Sequence, residues 1–200
     1  MRLDPAKLLL APALAIAIAA VAGSDAAAHT FGAQGAGLAQ GFLHPLGGLD
    51  HLLAMVAVGL WAAQRGGRAL WAVPAAFVAM IAVGGVAGAT GAPLPLVELG
   101  IAGSLIVLGL AVALSVRLPI AASAVLVGLF ALFHGHAHGS ELPETASALQ
   151  YGLGFVAATA ALHGLGVAIG VALKRDAGRA LVRIGGAGIA ATGLVLAAAL

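Results

Sequence analysis

Apolar runs of about 20 residues recur along this 200-residue chain, and they constrain its fold more than any other feature. A bilayer with a hydrocarbon core about 30 Å thick needs about 20 apolar residues to form one spanning helix. Only 8% of the residues are charged, whereas a soluble domain carries about 25%. Because so few charges cannot cover a globular surface, the sequence predicts an all-α membrane protein.

The first 28 residues differ from the rest of the chain. Arg2 and Lys7 give a basic start, positions 8–21 are apolar, and Ala26 and Ala28 form an A-x-A pattern. This order is typical of a secretory signal peptide, 1–28, that is cleaved before His29. An uncleaved first transmembrane helix is the alternative, and both interpretations leave the topology of the remaining chain the same.

Residues 29–200 are predicted to form one domain, a six-transmembrane-helix bundle. The helices are expected at approximately 41–63, 69–89, 96–115, 118–138, 146–173 and 180–200. Every basic residue after position 28 falls in the first, third or fifth turn between them: Arg65, Arg68, Arg117, Lys174, Arg175, Arg179 and Arg183. The positive-inside rule places these turns in the cytoplasm. We therefore expect a multi-pass protein of the bacterial inner (cytoplasmic) membrane, with both mature termini outside and no nucleic-acid partner.

The first predicted helix contains the sequence HPLGGLDH, from His44 to His51. An ionisable side chain at bilayer depth costs about 2.5–3.5 kcal/mol, so Asp50 and both histidines need a reason to be there. Pro45 and the glycines that follow it disfavour a regular helix. We expect a break that turns Asp50 toward the imidazoles, in a position that is buried or lines a cavity.

A second polar group, FHGHAHGSE, ends the fourth predicted helix. His134, His138 and Glu141 are spaced i, i+4 and i+7, which places them on one helical face, whereas His136 falls on the opposite side. Two imidazoles and a carboxylate without sulfur suit borderline divalent ions, and the chain has no cysteine. Two such motifs favour a metal site over a proton relay or a structural network.

Two further polar residues stand alone in apolar helices. Glu98 lies in the first turn of the third predicted helix, where it could bind metal or simply favour the helix dipole. His163 lies near the middle of the fifth, with Thr159 one turn earlier. A metal ligand and an interhelical hydrogen-bond partner both remain open for His163.

The segments GFLHPLGGLDHLLAMVAVGLWA and LFHGHAHGSELP resemble the two signature segments of the HupE/UreJ family of bacterial nickel permeases. The resemblance implies uptake of Ni²⁺, or of Co²⁺ in some members, for hydrogenase or urease maturation. It implies no permanently bound cofactor, since the metal is the transported substrate. By the same resemblance the functional residues would include His44, Asp50, His51, Phe77, Glu98, His134, His138 and Glu141.

The resulting expectation is a secondary permease and not an enzyme. Cleavage before His29 would leave a free amine and an imidazole that form an outward metal chelate. An intramembrane zinc hydrolase is the rival from another class, although the chain has no HExxH helix. A metal sensor or assembly factor that binds without transport is a third interpretation. The native ion, the energy coupling and a homo-oligomeric state are left open.

Overall fold

The computed structural model of the protein describes residues 37–142 and 147–200. The predicted signal peptide and His29 lie outside this part of the chain. The described residues form α-helices joined by short turns, in the order α1 Leu38–Gly47, α2 Leu49–Arg65, α3 Ala69–Ala89, α4 Val97–Ala113, α5 Ile120–Ser140, α6 Ala148–Ala172 and α7 Asp176–Ala198. The all-helical fold is thus as predicted for these residues.

The first predicted helix is interrupted, as expected from its proline and glycines. Gly48 adopts an extended conformation, with φ −95° and ψ 118°, between α1 and α2. The two helices are bent by 88° at this point. Pro45 remains inside α1, so the glycine and not the proline marks the break. The polar motif HPLGGLDH therefore straddles a sharp corner of the backbone.

Four helices, α3, α5, α6 and α7, are long and apolar enough to cross a membrane, and the α1–α2 pair qualifies jointly as one broken span or a re-entrant loop. Helix α4 is a shorter apolar helix of 17 residues, which corresponds to about 26 Å at 1.5 Å per residue. The count of six spans remains a prediction.

Helix α7 begins at Asp176, four residues before the predicted start at 180, and Asp176 pairs with Arg179 inside its first turn.

Glycines bring α3 and α5 into backbone contact. A Cβ atom added to Gly84 would overlap the carbonyl of Leu132, and one added to Gly135 would overlap the carbonyl of Ile81. Gly88 and Gly139 extend the same contact one turn further along each helix. In lipid, where apolar side chains gain little by meeting one another, such close approach is a main source of helix association. It fixes α5, which carries three of the histidines, against α3.

Helix α2 lies at the centre of the bundle. Its residues from Ala54 to Ala63 are almost all buried, because α6 packs on one side through Gly59 and Gly166 while α3 and α4 pack on others. A helix that is apolar on all sides is buried on all sides. The side chains of α2 are therefore in a position to contact several helices at once.

The basic residues of the described part of the chain gather at one end of the bundle, which we call the basic end. There the Trp61 indole donates to the carbonyl of Val116 over 2.8 Å, and Arg65 donates to the Ser123 hydroxyl over 2.8 Å. These bonds tie the end of α2 to the turn after α4 and the start of α5. The remaining basic residues lie at the helix ends and turns on this same side: Arg68, Arg117, Lys174, Arg175, Arg179 and Arg183.

The adjacent glycines Gly84 and Gly85 allow a matched test of the α3–α5 contact. Gly84→Ala should lower the free energy of unfolding by about 1–3 kcal/mol, because its methyl group meets backbone that cannot yield. At Gly85 the nearest atom is the Gly135 carbonyl oxygen at 3.7 Å, an ordinary contact. Gly85→Ala should therefore be neutral or stabilise by up to about 1 kcal/mol.

Thermal unfolding of both variants in detergent measures the difference. Equal melting temperatures for the two variants would show that the α3–α5 contact does not depend on Gly84.

Candidate metal centre

Imidazoles and carboxylates from α1, α2, α5 and the residue that follows α5 meet at the end of the bundle opposite the basic end. We call this set the histidine cluster, and it comprises His44, Asp50, His51, His134, His138 and Glu141. His134 and His138 come from one face of α5, as their spacing predicts. The structure therefore brings the two sequence motifs together, although 83 residues separate His51 from His134.

His51 is the centre of the cluster. Its Nε2 atom lies 2.9 Å from Nδ1 of His134 and 2.6 Å from Nε2 of His138. The three residues are buried, with exposed fractions of 3% for His51, 0% for His134 and 8% for His138. Buried polar groups usually have hydrogen-bond partners, yet these imidazoles satisfy one another only in part, since Nδ1 of His138 has no partner among the described residues.

The break before α2 positions Asp50 against His51. The backbone N–H of His51 donates to Asp50 Oδ1 over 2.7 Å, and Nδ1 of the same imidazole lies 3.3 Å from that oxygen. Asp50 thus contacts the ring nitrogen that faces away from the other histidines. A carboxylate in this place orients the imidazole and raises its basicity as a ligand.

Ser104 of α4 fixes the orientation of His134. The Ser104 hydroxyl donates to the Ile101 carbonyl over 2.6 Å, so it can only accept from Nε2–H of His134, 2.8 Å away. A neutral His134 then presents the lone pair of Nδ1 toward His51. The sequence analysis missed Ser104, because a single serine in an apolar helix forms no pattern with residues 30 positions away.

The outer edge of the cluster is accessible. His44, His138 and Glu141 each offer one ligand atom within 4.8 Å of the others. Nε2 of His44 lies 3.8 Å from a carboxylate oxygen of Glu141, and Nδ1 of His138 lies 4.0 Å from the same oxygen. The Glu141 side chain is 63% exposed and that of His44 29%. An ion can therefore meet a carboxylate and two imidazoles before it reaches the buried histidines.

Aromatic rings of α6 form one wall of the cluster. The ring of Phe155 lies 4.5 Å from that of His138, and the ring of Tyr151 lies 5.8 Å from that of His44. The ring of Phe77, in α3, lies 6.0 Å from that of His134. This apolar lining lowers the local dielectric and so strengthens the attraction between a cation and the two carboxylates.

Three of the predicted site residues do not join this set. Glu98 is exposed at the start of α4, on a shallow concave surface beside Leu99 and Leu200. His163 is buried deeper in the bundle, on α6. His29 lies outside the described residues. His136, which the sequence placed on the opposite face, donates from Nε2 to the carbonyl of Ala92 over 2.7 Å.

Comparison with known proteins shows the family to which the chain belongs. The family model described as HupE / UreJ protein matches residues 16–196. The chain belongs to the HupE/UreJ family. It is 47% identical over 173 residues to Protein HupE of Rhizobium leguminosarum bv. viciae, an alignment that covers 86% of this chain and 90% of that protein. No solved structure matches the chain.

The glycine pair at the break tests whether this HupE/UreJ chain depends on the position of Asp50. A Cβ atom added to Gly48 would lie 2.8 Å from Asp50 Oδ1, whereas one added to Gly47 would meet nothing within 4 Å. Gly48→Ala should displace the carboxylate from His51 and weaken Ni²⁺ binding by about 10-fold or more, the usual effect of losing a partner of a metal ligand. Gly47→Ala should bind as the wild type does.

Equilibrium dialysis of the purified proteins in detergent against radioactive nickel gives both affinities. Wild-type affinity in Gly48→Ala would contradict the assigned role of Asp50.

Proposed function

We propose that the protein is a secondary permease that imports Ni²⁺, with Co²⁺ as a second accepted ion, for the maturation of a nickel enzyme. The observation that carries the proposal is a buried group of imidazoles with one accessible, carboxylate-bearing edge, in a chain of the HupE/UreJ family. Imidazole and carboxylate ligands without thiolate suit nickel and cobalt. Such a set can remove water from an ion step by step.

The proposed orientation follows from charge. The basic end is assigned to the cytoplasm by the positive-inside rule, so the histidine cluster belongs to the periplasmic half of a six-span bundle in the inner membrane. The C-terminus, at the end of α7, is then periplasmic, as is the mature N-terminus. This orientation supports import, because the accessible edge of the cluster faces the source of the ion.

Capture begins at Glu141 in this mechanism. Its exposed carboxylate attracts a hydrated divalent ion and, with His44 and His138, replaces part of the hydration shell. The ion then reaches His51, whose orientation Asp50 maintains. The two carboxylates compensate the two charges of the ion within the low dielectric of the bundle, where uncompensated charge is costly.

The membrane potential can supply the driving force for ion entry. A membrane potential that is negative inside favours entry by about 2.3 kcal/mol per charge per 100 mV. Facilitated diffusion of a divalent ion is therefore physically sufficient. Release to the cytoplasm requires that no single site bind the ion with the full set of ligands. Such a site would have high affinity and would retain the ion.

Uptake of radioactive nickel into proteoliposomes tests the proposal. We expect saturable flux that unlabelled Co²⁺ inhibits and that Mg²⁺ does not, since Mg²⁺ prefers oxygen ligands and retains its water. Tight binding without flux would instead support a metal sensor or assembly factor. Hydrolysis of a substrate stimulated by metal would support the enzyme interpretation.

Variants of the cluster test the assigned ligands. Asp50→Asn and His51→Ala should each reduce nickel uptake by about 10–100-fold, because the first removes the carboxylate beside the central imidazole and the second removes that imidazole. Both variants should remain in the membrane. His136→Gln, which removes a histidine outside the cluster, is the matched control and should transport normally. Wild-type uptake by Asp50→Asn or by His51→Ala would overturn the site assignment.

A further inference from the structure

His163 is a buried imidazole whose nitrogens both lack a hydrogen-bond partner within the described part of the chain. Only 2% of the residue is exposed. Thr159 lies one turn earlier on the same face of α6, is fully buried, and its hydroxyl also lacks a partner. Buried polar groups are nearly always satisfied, so an exception calls for a reason. Two such residues on one helical face indicate a binding site for a polar ligand or an ion.

Phe77 lies close both to His163 and to the histidine cluster. Its ring lies 6.0 Å from the ring of His134 and 5.1 Å from that of His163, which it meets edge-on at 89°. The Phe77 ring is therefore a common neighbour of an imidazole of the cluster and of His163. An ion that moves between these two imidazoles would pass close to Phe77.

The depth of His163 places it on the way to the basic end. A Cβ atom added to Gly59 of α2 would overlap the His163 carbonyl. Gly59 follows His51 by eight residues, which is about 12 Å along a helix. Gln64 lies five residues further, and its side-chain oxygen is also buried without a hydrogen-bond partner among the described residues. Unsatisfied polar atoms thus occur at two successive positions between the histidine cluster and the basic end.

We propose that His163 and Thr159 form an inner half-site, which receives the metal ion from the histidine cluster after it passes Phe77. The inference rests on the proposed permease function. One imidazole and one hydroxyl give an incomplete ligand set, which water molecules that accompany the ion complete. The ion is therefore held more loosely here than in the cluster, which favours its release toward Gln64 and the cytoplasm.

A purely structural histidine is the competing explanation, and its consequences differ. A buried imidazole without partners contributes nothing by hydrogen bonding, so replacing it with an apolar side chain of similar size would be harmless or stabilising. Transport would then be unchanged. An ion-binding imidazole, in contrast, has no substitute among apolar side chains. His163→Leu separates the two explanations.

The first experiment measures binding and flux in the same variant. His163→Leu should bind nickel in detergent within about twofold of the wild type, because the cluster is intact, yet its uptake into proteoliposomes should fall by at least about tenfold. Control His136→Gln should retain both. Unchanged flux in His163→Leu would overturn the inner half-site. Absence of flux in the wild type would overturn the permease itself, so the two failures are distinguishable.

A second variant gives a readout that a folding defect cannot imitate. The chain has no cysteine, so His163→Cys introduces a unique thiol at the half-site. Thiolate favours zinc over nickel more strongly than imidazole does, and the ratio of zinc to nickel uptake should rise by at least about threefold. A folding defect would lower the uptake of both ions alike. An unchanged ratio would therefore overturn the proposal even if total uptake is reduced.

Discussion

Contact between helix backbones is the interaction on which this structure depends. A bilayer offers no strong apolar driving force for helix association, so packing distance determines how tightly the helices associate. In α5 the glycines and histidines alternate, and this alternation gives the helix one face for packing and one for polar contacts. Gly135 and Gly139 lie against the backbone of α3, while His134 and His138 point toward His51 of α2. The motif FHGHAHG is thus a packing surface and a ligand surface in the same two turns.

The burial of so many imidazoles follows from the same arrangement. A series of polar contacts runs from Ser104 through His134 and His51 to His138, and Asp50 closes it at one side. Networks of this kind are stable in a low dielectric only if their members have partners. Removal of one member leaves its neighbours unsatisfied, which is why the effects of substitutions within the cluster should not add independently.

Several features could be predicted from the sequence because they depend on local spacing. The length of the apolar runs predicts the helices, and the i, i+4, i+7 spacing predicts the shared face of His134, His138 and Glu141. The glycine pair predicts the break that directs Asp50 to His51. Contacts between distant segments could not be predicted in this way. Ser104 gave no signal, and no sequence pattern shows that Phe77 contacts two histidines, since its neighbours come from α5 and α6.

The contacts of isolated polar residues could not be predicted from the sequence for a related reason. Glu98 and His163 each lie in an apolar helix without a nearby polar partner in sequence, so their spacing says nothing about which group they meet. The structure places Glu98 on the surface at the start of α4 and His163 in the core of the bundle. Neither position contacts the cluster directly, and the functional role of each remains a prediction.

The two ends of α2 differ in how they are held, and this difference has a mechanical consequence. At the basic end, Trp61, Gln64 and Arg65 bind groups of α4, the turn after it and α5. At the other end the helix begins directly after an 88° corner at Gly48, and the contacts of His51 with Asp50, His134 and His138 hold it there. The basic end is therefore held by bonds to carbonyl and hydroxyl oxygens that do not involve the histidine cluster. The first turn of α2 is held by the same imidazoles that form the candidate metal centre, so a change of ligation there would act directly on the start of α2.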